Sequence, residues 1–428
     1  MRLTILHTND IHGRVDRIAQ IATLVRSEKE QSDHRVLYLD AGDVEETTSR
    51  LSNFTKGVAM HRLMNATLCD AATVGNACWL RYGPGVLAEQ AAVSNHPQLV
   101  ANFVPVDGPV PSVMLGDVGV FGLTDPFREL FEDTDWGFEA LDELEVARSV
   151  AAELRAQGAK LVILLSHLGW DTPASRWDDP RIAAELQDDV DLIIGAHSHH
   201  LLPHGERVGR VLVAQAGSFG EHLGRIEIDG DTITASVEPI GDDVEASSLV
   251  TAEIERIEAE VAELLAEPIG SVDSPLDAQW IAEMLRRRMD ADVGVFSEGL
   301  TLATIPPGVV TRGALYEASE TGANPGVTAM TGEQLAVVVA RGNDPEFMAS
   351  TANALRGRPR GALRLAGVDA GKIDPAATYT VAGSDWELDA YGGYTEPEWG
   401  LKARYDFPVI IREAIEDHLR GGGLGRPR

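Results

Sequence analysis

The stretch Leu3–Gly13, reading Leu-Thr-Ile-Leu-His-Thr-Asn-Asp-Ile-His-Gly, decides how the rest of the chain is read. It opens on a short apolar run, as a buried strand requires, and then breaks into Asp10, His12 and Gly13. Residues able to ionise or ligate thus fall just past the carboxyl end of a strand. Open α/β sheets build their sites at that end.

The same arrangement recurs along the first half of the chain. Val36–Leu39 is followed by Asp43, Ala72–Val74 by Asn76, Leu161–Leu165 by His167, and Leu192–Ile194 by His197 and His199. Gly42, Gly75 and Gly195 beside these residues permit tight turns. Helical stretches such as Val15–Glu28 and Leu144–Gln157 lie between the runs, and Val118–Phe121 and Val211–Ala214 add further strands. Short buried strands alternating with helices predict a layered α/β domain. Arg225–Ile228 and Thr232–Val237, either side of Gly230, read as a closing hairpin.

His12, His167, His197 and His199 offer nitrogen, and Asp10, Asp43 and Asn76 offer oxygen. Seven donors exceed what one transition metal takes and suit two metals sharing a carboxylate, with positions open for water and substrate. Mixed imidazole and carboxylate donors suit Mn, Fe, Zn or Co better than Ca or Mg. A single D-x-H or H-x-H would be weak; five pieces in order, each ending a strand, are hard to obtain by accident.

The bulk composition narrows the partners. The chain has 428 residues, 36 basic against 67 acidic side chains, and a net charge of −31. Such a balance argues against a nucleic-acid polymer and against an anionic membrane surface. It leaves small anionic substrates open, because bound cations reverse the local sign. Cys69 and Cys78 are too few for a disulfide scaffold or a four-cysteine zinc site. No signal peptide and no run of 18 apolar residues is found, so the expectation is a cytoplasmic chain. Nothing in the sequence chooses between monomer and dimer.

The domain layout expected is a metal-binding α/β domain over 1–240, an acidic linker helix within 241–270, a smaller α+β domain over 271–420, and a disordered tail, 421–428. The helix is predicted over Ser247–Ala266, with Ile254, Ile257, Val261, Leu264 and Leu265 as its apolar stripe. In the second domain, Gln279–Met289 and Thr331–Arg341 read as helices, the latter with Thr331 as N-cap.

The motifs D-x-H, GD, GN, SHLG and G-x-H-x-H together resemble the calcineurin-like metallophosphoesterases. Leu3–Gly13, Ala101–Val104, Val120–Pro126 and Gly217–Ile228 narrow the resemblance to the 5′-nucleotidase-like branch. Ala291–Gly299, Ile305–Glu317, Met330–Leu335 and Tyr379–Trp386 extend it, more faintly, to that branch's C-terminal substrate domain. The resemblance implies a four-layered α/β/β/α domain holding two divalent transition metals (Mn, Zn or Fe). Asp10, His12, Asp43 and His199 match the ligands of one metal. Asp43, Asn76, His167 and His197 match those of the other, with Asp43 bridging. The implied chemistry is attack on phosphorus by a metal-bound hydroxide, releasing phosphate from small, nucleotide-like esters in nucleotide catabolism.

The sequence also departs from that branch. Its GN is ordinarily followed by His-Glu, whereas Ala77 and Cys78 stand here. The missing histidine is a proton donor or transition-state stabiliser, a role worth about 10²–10⁴-fold. His200 is the candidate catalytic replacement beside Asp43 and Asn76, with His222 and Arg81 also near in sequence. The alternatives are a phosphodiesterase, which needs less proton donation, or a metal-containing binding protein with little turnover. Cys78 reads as a small buried hydrophobe. In the second domain the expected Asn-x-Gly-Gly-x-Arg segment reads Ser297–Leu302 without its Arg, and Ala390–Tyr394 lacks its Asp. Trp386 and Asn102 are the candidate substrate-binding residues. Arg341, Arg356, Arg358, Arg360 and Arg364 are candidate anion contacts.

Overall fold

The computed structural model describes residues 2–127, 137–172, 175–319, 322–351, 358–407 and 409–421. The chain divides into two compact units, Met1–Glu260 and Val261–Arg428. Most of the glycine-rich tail expected to be disordered (residues 422–428) lies outside the described residues.

The first unit is built on two six-stranded sheets. The strands of these two sheets are β1 (Arg2–Thr8), β2 (Arg35–Asp40), β3 (Ala71–Thr73), β4 (Gln98–Leu99), β5 (Ser112–Leu115), β6 (Val118–Thr124), β7 (Leu161–His167), β8 (Leu192–Gly195), β9 (Glu206–Val208), β10 (Val211–Ala214), β11 (His222–Asp229) and β12 (Thr232–Pro239). One sheet runs β12-β11-β1-β2-β3-β4, the other β9-β10-β8-β7-β6-β5. Pairings among β1 to β4 and among β6, β7, β8 and β10 are parallel; β12, β11, β9 and β5 pair antiparallel.

Two-residue alternation explains the layering. Leu3, Ile5, Leu37 and Leu39 pack against Val118, Val120, Ile163, Leu165, Leu192 and Ile194 between the sheets. The other face of the second sheet carries Phe121, Val162, Leu164 and Ile193, covered by Ala147, Val150 and Leu154 of the helix Glu143–Ala156. The helix Val15–Gln31 buries Ile18, Ile21 and Val25. The apolar runs predict a layered α/β domain, and these are the four α/β/β/α layers that the resemblance implies. Because the central strands are parallel, their carboxyl ends gather on one edge, and the loops there carry the polar residues.

The helix Ser248–Ala266 crosses the division between the units. Val250 and Ile257 are buried, and its acids are paired: Arg62 donates to Glu253 and Glu260, and Arg50 to Glu258. No helix among the described residues is long and apolar enough to cross a membrane.

The second unit is α+β. A five-stranded mixed sheet has the order Leu363–Ala366, Val293–Ser297, Thr378–Ser384, Pro325–Thr331, Arg404–Tyr405. Its core joins Ile281 and Leu285 of the helix Ala278–Arg288 to Val293, Val295, Val381 and Leu335. Thr331 caps the helix Gly332–Gly342 with a full capping box to Gln334.

Candidate metal centre

Each donor follows a strand on the shared edge. Asp10 and His12 follow β1, Asp43 follows β2, Asn76 follows β3, His167 ends β7, and His197 and His199 follow β8. Asp10, His12, Asp43, His197 and His199 all have positive φ, between 49° and 68°. L-residues rarely adopt that conformation, and such strain persists only where the surroundings hold it, most often at functional sites. The turns are tight enough to require glycine at one point: a Cβ on Gly75 would lie 2.1 Å from Asp43 Oδ1.

The donors form two adjoining groups. In the first, His12 Nε2 and His199 Nε2 are 3.0 Å apart, and each lies within 3.8 Å of Asp10 Oδ1. In the second, Asn76 Oδ1 lies 3.1 Å from His167 Nε2 and 2.9 Å from His197 Nδ1, and His167 Nε2 is 3.3 Å from Asp43 Oδ2. Among the described residues, Asp10, His12 and His199 could hold one ion, and Asp10, Asp43 and His167 another. Asp10 is thus within reach of both groups, whereas Asp43, the bridging residue implied by the resemblance, falls in the second.

Outer contacts fix the ring orientations. His12 Nδ1 donates to the Glu45 carbonyl at 3.2 Å and His167 Nδ1 to the Ala41 carbonyl at 2.8 Å. Each ring therefore turns Nε2 toward the centre, as metal-binding imidazoles do. The backbone N–H of His197 donates to both Asp10 oxygens, and Asn9 clamps Asp10 Oδ2 at 2.7 Å while bonding Gly217 and Ala216. Ala77 N–H donates to Asp43 Oδ1 at 2.8 Å.

The electrostatics suit cations. Burial acts to raise the Asp43 carboxyl, yet the charge of His167 and His12 and the Ala77 N–H outweigh it and hold it below the ordinary carboxylate range. Burial also acts against charge on His167, but Asp43 and Asp10 hold it protonated up to about pH 10. A buried carboxylate field that keeps a proton on His167 would equally hold a metal cation in its place. Burial lowers His197 and His199, leaving neutral imidazoles fit to ligate.

Other expectations need correction. His200 does not join the donors: it is exposed, its Nδ1 lies 3.0 Å from Ser198 Oγ, and its N–H donates to Gln215. Asn102, expected to bind substrate, is fully buried with its side chain engaged by the fold. Its amide donates to Thr124 O at 2.8 Å and accepts from Thr124 N, clamping the end of β6. Trp386, expected to stack on a base, is 5% exposed and belongs to the second unit's core. The arginines are engaged too: Arg341 with Glu396, Arg364 with Glu298, and Arg360 over the Phe347 ring. Arg356 lies outside the described residues. Arg81 stands over Tyr82, and Cys78 is buried beside Trp79.

Two aromatic residues that the spacing argument does not select flank the donors. Phe219 sets its ring 5.6 Å from that of His12 and 5.5 Å from that of His199; Phe127 lies 5.5 Å from His197. Both have positive φ. Their only sequence signal is proximity to the motifs.

The calcineurin-like phosphoesterase model matches residues 3–201, and the 5′-nucleotidase C-terminal domain model matches residues 268–397. The metallophosphoesterase YunD of Bacillus subtilis is 26% identical over 423 residues, covering 90% of this chain and 89% of that protein. The snake venom 5′-nucleotidase of Crotalus adamanteus is 28% identical over 320 residues, covering 63% of this chain; the match spans about half (53%) of that enzyme. The 5′-nucleotidase precursor of Thermus thermophilus shares the fold with a TM-score of 0.61 at 20% identity, over 100% of this chain and 98% of that one. The chain therefore belongs to the calcineurin-like metallophosphoesterases, metal-dependent phosphoric ester hydrolases, and carries their 5′-nucleotidase-type C-terminal domain.

Proposed function

We infer that this chain is a two-metal phosphomonoesterase acting on small, nucleotide-like phosphate esters. The observation that carries this reading is the convergence of seven donors from five strand ends into two adjoining groups. Asp10, His12, Asp43 and His199 would hold one cation and Asp43, Asn76, His167 and His197 the other, with Asp43 shared. Two divalent transition metals (Mn, Zn or Fe) would neutralise the phosphoryl oxygens and lower the pKa of a water poised to attack. The chain's own part is to fix the geometry. Glu45 O and Ala41 O orient two imidazoles, while Ala77 N–H and His197 N–H hold the two carboxylates. No side-chain nucleophile is required, and Cys78, at 3% exposure, is not placed to act as one.

Metal analysis combined with a paired assay of nitrophenyl phosphate and bis-nitrophenyl phosphate in Mn²⁺ tests this. About two metals per chain and monoester turnover are expected. Fewer than about one metal per chain, or an Asp43→Asn variant with unchanged metal content and activity, would overturn it. The methyl group of Ala77 favours a second reading, a phosphodiesterase, because no proton donor stands at that position. A monoester preference of about 100-fold, the lower end for one positioned acid, would sink the diesterase. Metallated protein that binds nucleotide without hydrolysing any ester would favour a binding protein instead.

A further inference from the structure

We propose that Arg14 grips the phosphoryl group of the substrate at the donor cluster, with Phe219 as its pedestal. The inference rests on the hydrolase reading for the identity of the ligand. Its geometry is independent of that reading.

Arg14 lies two residues past His12 and is the N-cap of the helix Val15–Gln31. Its backbone is therefore fixed relative to the donors. Its guanidinium carbon stands 5.2 Å from the centroid of the Phe219 ring. That same ring lies against both His12 and His199. A single aromatic ring thus links the cation to the first donor group. Phe219 is itself held at a φ of 56°, its N–H donating to Asp10 O at 2.7 Å, so its position is imposed by the site rather than by chance packing.

The guanidinium makes no hydrogen bond or ion pair with any described residue, in a chain with 67 acidic side chains. Arg17, one turn further on, shows the contrast: it donates to Gln20, Ile240 and Asp242. Arg14 is half-buried, oriented by an aromatic face, and left with its forked donors unused. A phosphate oxygen pair is the ligand such a fork fits.

The cluster also needs a cationic donor. Ala77 supplies none, His200 turns to Ser198, and Arg81 lies over Tyr82. Arg14 would meet the non-bridging oxygens, and its charge would favour a doubly charged monoester over a singly charged diester.

The test uses the full chain with Arg14→Ala, Arg14→Gln and Arg14→Lys, and Phe219→Leu for the pedestal. Metal content, circular dichroism, inorganic phosphate binding by calorimetry, and kinetics on both nitrophenyl esters are read together. Arg14→Ala and Arg14→Gln should keep their metal. They should weaken phosphate binding and monoester kcat/KM by about tenfold or more, with a smaller loss on the diester. Lys should restore part, free guanidinium should partly rescue Arg14→Ala, and Phe219→Leu should show a smaller loss in the same direction. A folded, metallated Arg14→Ala or Arg14→Gln within about twofold of the parent in both phosphate affinity and kcat/KM would overturn the proposal. If Arg14→Ala fails to fold, Arg14→Lys decides: full parental affinity for phosphate shows that the fork is not used. A parent that turns over esters while Arg14 variants match it refutes only the arginine. A parent that hydrolyses nothing, with phosphate binding still lost on substitution, refutes only the hydrolase reading.

Discussion

The strand ends of the first unit and those of the second use polar residues in opposite ways. In the first, Asp10, Asp43, Asn76 and the histidines turn toward one another and leave their ligating atoms facing a common centre. In the second, the polar residues are consumed by the fold. After Val293–Ser297, the Ser297 N–H donates to Glu387 and its hydroxyl to Arg360 O, while Glu298 accepts from Arg364. After Thr378–Ser384, the Ser384 N–H and hydroxyl both engage Glu387. A set of donors whose ligating atoms face one another, each steadied from behind by the backbone or by Asn9, is one that could hold cations. A set that pairs internally implies completed packing. That contrast locates the family's metal chemistry in the first unit of this chain.

The largest effect should come from breaking the first set. Asp43→Asn removes a charge that His167 and His12 both face, and is expected to lower ester turnover by about 10³-fold or more with loss of metal, read by elemental analysis beside kinetics. Trp386→Ala tests the second set. As a core residue it should cost about 3–5 kcal/mol in the unfolding of the second unit, measured by denaturant titration, with metal content unchanged. A stable Trp386→Ala protein with raised KM for a nucleotide would instead restore the stacking role.

Much of the first unit is legible in the sequence alone. The apolar runs set its order of strands and helices because buried parallel strands leave an unbroken hydrophobic signature. The seven donors are legible for the same reason: each is tied to the end of such a run. The burial of Asn102 and Trp386 is not legible in the sequence because their contacts are distant along the chain. Asn102 is fixed by Thr124, 22 residues on, and Trp386 by strands that only tertiary packing brings together. His200 misses the cluster by one position, since it follows His199, whose left-handed φ of 58° helps turn the chain within a single residue. Arg14 carries no periodic signal, and its meaning comes from a ring more than 200 residues away in sequence.

The internal pairing of the second unit has a pH signature. Burial pushes Glu387 up to about 7, against the hydrogen bonds from Ser384 and Ser297 that act to lower it. In the unfolded chain the same carboxyl releases its proton near its ordinary value of 4.5. Between those two points the native state binds more protons than the unfolded one, so stability falls as pH rises, and the loss is complete above about pH 7. The span amounts to about 3 kcal/mol. Glu387→Gln keeps a neutral side chain of the same shape, and its unfolding free energy should therefore vary less between pH 5 and pH 8 than the parent's. An equal slope in both proteins would show that Glu387 is ionised and paired throughout.

The smallest effect tests whether the second unit's local structure is as self-contained as its polar pairing. Thr331 accepts from Gln334 N–H, and the Gln334 side chain accepts from Thr331 N–H, so two of the helix's unmatched donors are satisfied by residues three apart. Removing the hydroxyl leaves one donor to water at an exposed turn, which costs about 1 kcal/mol. Thr331→Ala should lower the stability of the second unit by that amount, and Thr331→Ser should restore it, because only the hydroxyl is required. Metal content and turnover of a small nitrophenyl ester should stay unchanged in both, since the donors belong to the other unit. A drop in metal content with Thr331→Ala would mean that the two sets of strand ends are energetically coupled, and the contrast drawn between them would fail at its weakest point.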